Sequence, residues 1–326
     1  MRLHTSGAVD ASKVLSLALL FLSLLILWFY FLMLFLGPET FEIALSMRGK
    51  PLYVGRISFY FLSVIPAEIK IPRIDSRPVF SVLLLIFGLL LITLPFQGRD
   101  PISAARGGSA LDNALIGTLV LSGGTFAFMI ALSFLLEMGG VEIGGLTYED
   151  KALEYIEVTY ASLREEIGFR LTFVGFFALL SYSLVSRRIP SPKEVLIGLF
   201  RPTSLPIEGN LRKTYLLSLW GFVLFSSILF GFAHLFSPTG WGVGKAITAS
   251  LAGVLLGYLY VRYGLFSSII SHWSFNYVSE TLTISASVSS WSIALFKVIV
   301  VIYYLSLVLS LALILVRFKR KLLEEG

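Results

Sequence analysis

Apolar residues in this chain arrive in long unbroken runs, separated by short polar connections that carry Gly or Pro. A helix that crosses a bilayer needs about 20 apolar residues. Residues 14–36 supply such a run without a charge before Gly37-Pro38, where proline's missing backbone donor predicts a stop. Further spans are predicted at 79–96 and at 111–136, the latter with the small residues Ser122-Gly123-Gly124 that let helices approach closely. Residues 149–164 are half polar, with Leu153, Ile156, Tyr160 and Leu163 on one face, and run into a fourth span that opens at Glu165 and ends near Val185. Four more spans follow at 215–236, 243–260, 265–285 and 291–316, with Ser237-Pro238-Thr239-Gly240 breaking the first of them. The expected fold is an all-α polytopic membrane protein of about eight transmembrane helices, with an interfacial helix before the fourth. The stretch 52–67 is apolar but interrupted by Arg56 and Pro66, which predicts an interfacial or re-entrant segment rather than a span.

Composition agrees with the pattern. Charged residues make up 14% of the 326, against about 25% in soluble domains, and mean hydropathy is +0.85. Almost no sequence is left over for a water-soluble core, so residues 1–326 are expected to form one membrane domain. The net charge of +6 resides mostly in loops, which suits anionic lipid headgroups better than nucleic acid. With no cysteine, disulfides, thiolate metal ligands and a cysteine nucleophile are all excluded. The first apolar run exceeds a signal-peptide core and has no small-residue cleavage site close after it, so it is expected to stay as an anchor in a multi-pass cell-membrane protein.

Basic residues cluster in 186–213, with Arg187, Arg188, Lys193, Arg201, Arg212 and Lys213, and again after the last span. By the positive-inside rule that side is cytoplasmic. Glu165 and His234 are then expected toward the opposite leaflet, a placement in tension with a substrate tail presented from the cytosol.

Three ionisable residues at the entrance of the fourth span, Glu165, Glu166 and Arg170, call for an explanation. A charge inside a bilayer costs about 2.5–3.5 kcal/mol on insertion scales, so such groups are functional candidates by default. His234 nearly closes the fifth span and therefore lies at the level where Glu165 opens the fourth. His272 falls near mid-depth of the seventh, and Asn276 stands about 6 Å further toward the same leaflet at 1.5 Å rise per residue. Residues four apart share a helix face, which pairs Glu166 with Arg170, Phe230 with His234, and His272 with Asn276. The first pair neutralises itself. Glu165 lies about 100° around the helix, where no Arg follows at i+4, and remains free for chemistry.

A water between Glu165 and His234 could be deprotonated and aimed at a carbonyl, with His272 and Asn276 donating to the oxygen that becomes negative. The residues alone leave zinc open as well. Glu165, His234 and His272 would make a triad with a vacant fourth position, although no HExxH occurs. The same polar cluster also suits a noncatalytic scaffold or immunity protein, or a proton-coupled transporter.

The ordered set Glu-Glu-x-x-x-Arg, Phe-x-x-x-His and His-x-x-x-Asn resembles the CAAX prenyl protease and bacteriocin-processing (CPBP) family of intramembrane endopeptidases, of the type II CAAX prenyl protease kind. The motifs read Glu165-Glu166 to Arg170, Phe230 to His234 and His272 to Asn276, inside a core at 151–285. The resemblance implies an endopeptidase acting on membrane-associated peptides or proteins, among them prenylated C-terminal CAAX tails. It also implies metal-free hydrolysis in which Glu165 and His234 activate water, His272 and Asn276 stabilise the oxyanion, and Glu166 and Arg170 support the site.

Overall fold

The computed structural model describes residues 10–63, 65–146, 148–236 and 240–325, with side chains through Leu322; His4 and the helix-breaking Ser237-Pro238-Thr239 lie outside the described residues. Eight long helical runs are found among them. They are α1 (Ala11–Arg48), α2 (Ser76–Phe96), α3 (Ala114–Met138), α4 (Lys151–Ser186), α5 (Gly209–Leu235), α6 (Val243–Tyr263), α7 (residues 265–286) and α8 (Trp291–Leu322). Seven are long and apolar enough to cross a membrane; α7 is the exception. Its Ser267, Ser268, Ser271, His272 and Ser274 are all buried, so α7 meets protein rather than lipid and can carry polar groups that find partners inside. Ser122 Oγ of α3, for example, donates to Ser271 Oγ at 2.6 Å. The protein is an all-α polytopic membrane protein with one small sheet.

Two expectations need correction. First, α1 does not stop at Gly37-Pro38 but carries Pro38 inside it and ends at Gly49, whose φ of 69° is the left-handed conformation of a helix C-terminus. Proline is tolerated in a membrane helix when side chains satisfy the carbonyls it disturbs. Pro38 deprives the Leu34 carbonyl of its N–H partner, and hydroxyls bond carbonyls on either side of it: Tyr277 Oη donates to Met33 O at 2.8 Å and Thr40 Oγ1 to Leu36 O at 3.0 Å.

Second, the stretch expected to be interfacial or re-entrant is an antiparallel hairpin, β1 (Tyr53–Phe61) and β2 (Ile65–Asp75), registered from Tyr53 opposite Asp75 to Phe61 opposite Ile65. As expected, the half-polar segment before the fourth span is helical and runs into it: it forms the first half of α4, and its Ala152, Tyr155, Ile156, Thr159 and Ser162 are buried.

Close helix contacts fall where small residues allow them. A Cβ on Gly253 would sit 3.1 Å from Ser227 Cα, and one on Gly257 2.4 Å from Val223 Cγ1, so the GxxxG face seats α6 on α5. Gly123 and Gly124 likewise meet Tyr303 and Leu307 of α8. An aromatic ladder binds α7 to the opposite wall. Phe87 stacks on Trp273 at 5.2 Å, Trp273 on Tyr277 at 4.8 Å and Tyr277 on Tyr155 at 5.6 Å, and the ladder continues through Phe80 to Phe41.

Gly37 tests this wall. A Cβ there would lie 2.0 Å from Tyr277 Oη, so Gly37→Ala is expected to lower stability by about 1–3 kcal/mol through overpacking. Thermal unfolding in detergent measures it, and adding Tyr277→Phe should recover part of the loss by removing the clashing oxygen.

Candidate active site

The site begins where α4 changes its winding. After Glu166, residues Ile167–Val174 form a π-helical turn, and a second one occupies Ser274–Val278 of α7. Such wider turns release backbone groups from the regular ladder and recur at functional sites. In α4 the freed carbonyls are taken up by other elements. Ser63 Oγ of the hairpin donates to Gly168 O at 3.2 Å, and Ser226 Oγ of α5 to Phe169 O at 2.8 Å. Leu62 N donates to Thr172 Oγ1 at 2.9 Å, which docks the hairpin tip beside the site. Gly168 is required for this approach, since a Cβ would stand 2.9 Å from Tyr60 Cβ.

Glu166 is the hub. It is 0% exposed and Arg170 is 1% exposed, with Arg170 Nη1 3.0 Å from Glu166 Oε1. Arg170 Nη2 also donates to Gly253 O at 3.1 Å, and its guanidinium carbon stands 4.8 Å from the centre of the Phe230 ring. Glu166 does more than neutralise Arg170. Its Oε1 accepts from His272 Nδ1 at 2.8 Å, and its Oε2 accepts from Ser268 Oγ. A carboxylate on Nδ1 fixes the imidazole's orientation and directs Nε2 the other way. That nitrogen lies 3.6 Å from Glu165 Oε2.

Glu165 is less isolated than its spacing implied. Arg164, its immediate neighbour, places Nη2 3.7 Å from Glu165 Oε1, so the carboxylate bridges Arg164 and His272. His234 makes no direct pair with it among the described residues. Instead His234 Nδ1 donates to Phe230 O at 2.8 Å, leaving Nε2 as the free acceptor. Phe230 wedges between the two imidazoles, edge-on to His234 at 4.8 Å and to His272 at 5.6 Å. Asn276 Nδ2 donates to Val158 O at 3.2 Å, which spends one of its two amide hydrogens.

All four expected site residues, Glu165, His234, His272 and Asn276, line one chamber of about 340 Å³ that also touches Tyr60 and Ser63 of the hairpin. A second, more apolar chamber of about 540 Å³ shares His234, His272 and Asn276 and runs toward Phe126, Ile130 and Phe275. Both also share Trp241 and Lys245, which the sequence reading did not single out. Among the described residues no group of three His, Asp or Glu side chains gathers around a common point that could hold a metal ion.

Residues 155–278 match the family model described as type II CAAX prenyl endopeptidase Rce1-like. The matched segment contains all three motifs, so this match supports the resemblance to CAAX-type intramembrane endopeptidases that the motifs carry. No curated protein and no solved structure matches the chain.

The hub generates a stability prediction. Glu166→Gln leaves the Arg170 cation buried without its counter-charge, which should cost about 3–5 kcal/mol in detergent unfolding. The double variant Glu166→Leu/Arg170→Met should unfold closer to wild type, because neither charge is then stranded.

Proposed function

We propose that the protein hydrolyses peptide bonds of membrane-associated substrates, prenylated carboxyl-terminal tails included, by activating water with Glu165 and His234. The observation that carries this reading is the clamp on His272, held by Glu166 at 2.8 Å and facing Glu165 at 3.6 Å, on the wall of the chamber that His234 and Asn276 also line. Glu165 takes a proton from water as it attacks the carbonyl, and His234 Nε2, free because Nδ1 is engaged, accepts a hydrogen bond from that water. Negative charge then builds on the carbonyl oxygen, where the second N–H of Asn276 can donate. His272 donates through Nε2 when that nitrogen carries a proton, since Nδ1 is committed to Glu166. The proton held by Glu165 passes to the departing amine, which breaks the C–N bond and restores the carboxylate.

The membrane we assign is the cell membrane, with the basic segment around Arg187, Arg188 and Lys193 against anionic headgroups. No step passes through a metal.

Three measurements in proteoliposomes loaded with N-acylated random peptides check this mechanism. Glu165→Gln should slow cleavage by about 10²–10⁴-fold, the range of general-base catalysis. Asn276→Ala should slow it by about 10²–10³-fold through the lost oxyanion donor. Chelator treatment should leave the wild-type rate unchanged. Wild-type rates in Glu165→Gln would defeat the mechanism, and substrate-dependent proton flux without cleavage would favour a transporter.

A further inference from the structure

Lys245 occupies the first turn of α6, where its Nζ stands 4.4 Å from the centre of the Trp241 ring. The pair lines both chambers beside His234, His272 and Asn276. Its placement is enforced by backbone pairing: Gly242 N donates to Ile143 O at 2.9 Å and Gly244 N to Glu142 O at 2.8 Å. A Cβ on Gly242 would come within 2.4 Å of Glu142 O, and one on Gly244 within 2.5 Å of Ile143 Cδ1, so the close pairing requires glycine at both positions. The segment that carries Trp241 and Lys245 is thus clamped against the α3–α4 connection.

Charge balance then singles Lys245 out. Arg164 pairs with Glu157 at 3.3 Å and Glu165 at 3.7 Å, Glu165 also meets His272, and Glu166 pairs with Arg170. Glu137, at the edge of the apolar chamber, is exposed. Among the described residues Lys245 has no carboxylate within ion-pair distance, and its ammonium lies over the Trp241 face. A half-buried ammonium that opens into a cavity with no carboxylate in direct contact, Glu165 acting on it only from across the chamber, is suited to an anion brought by a ligand. A monoanion fits better than a phosphate dianion, because Glu165 faces the same chamber and would repel the second charge.

We infer that Lys245, backed by the Trp241 ring, binds a carboxylate of the peptide substrate close to the scissile bond and so sets specificity. The inference rests on the peptidase reading for the word substrate, and its binding step stands apart from the chemistry. The carboxylate belongs either to the free C-terminus or to an Asp or Glu side chain near the cut. Both present the same single charge to Nζ.

The test uses full-length Glu165→Gln protein in proteoliposomes and three N-acylated random peptide mixtures: C-terminal acids, C-terminal amides, and acids lacking Asp and Glu. Retained peptides are quantified by mass spectrometry. Peptides that carry the recognised carboxylate should be retained over those that lack it by about tenfold, the equivalent of one charge-assisted hydrogen bond. Lys245→Met should erase the preference, and Lys245→Arg should keep it. Persistence of the preference in the mixture lacking Asp and Glu identifies the C-terminus; enrichment of Asp- and Glu-containing peptides irrespective of amidation identifies the side chain. Equal retention of all three mixtures, or a preference that survives Lys245→Met, overturns the inference. Wild-type protein given the same mixtures separates the two readings: cleavage without any acid preference rejects the Lys245 assignment alone, and acid preference without cleavage rejects the peptidase reading alone.

Discussion

The structure depends on one buried ion pair. Glu166 and Arg170 sit fully inside a membrane protein, where two charges lose their hydration and their mutual attraction repays it only if the remaining donors and acceptors are also met. They are met by groups from three other helices: Ser268 and His272 of α7, Gly253 O of α6 and the Phe230 ring of α5. The pair therefore works as a junction. Satisfying it brings α4, α5, α6 and α7 to one point, and the two imidazoles and Glu165 arrive there as a consequence.

Much of the surrounding architecture keeps that junction from shifting. The aromatic ladder fixes one side of α7 through Trp273 and Tyr277, each the residue immediately after a site residue, His272 or Asn276. Glycines at 253 and 257 let α6 approach α5 closely enough for the Gly253 carbonyl to reach Arg170. The π-helical turns disturb the regular ladder in α4 and α7, and the hairpin tip and Ser226 occupy carbonyls in the first of them.

How much of this can be read in the sequence follows from the range of each interaction. Glu166 and Arg170 are i,i+4 neighbours on one helix, so their pairing is visible in spacing alone. The second role of Glu166, as anchor of His272, is not, because it joins residues 106 positions apart. The contact of Arg164 with Glu165 does not follow from spacing, because adjacent helical residues diverge, yet a long arginine reaches across. The hairpin hid its turn: Leu62 and Ser63 have φ of 49° and 68°, a conformation usually announced by Gly or Asn. Those strained residues are held by tertiary bonds to Gly168 and Thr172. Pro38 is a stop signal by its chemistry, yet α1 continues through it because Thr40, Phe41, Ala44 and Leu45 beyond it are buried against other elements, a packing that spacing does not show. Lys245 and Trp241 looked like an ordinary helix start, since only the pairing with Glu142 and Ile143 turns them into the cavity.

The central claim is that the polar cluster is a catalyst acting on other membrane proteins, and mapping of new peptide termini addresses it most directly. Membranes from cells making the wild-type protein are compared with membranes from cells making equal amounts of folded Glu165→Gln protein. The account predicts a set of new termini on membrane-associated proteins that appears with the wild type and is lost in the variant. Identical terminal profiles from the two membranes would contradict it.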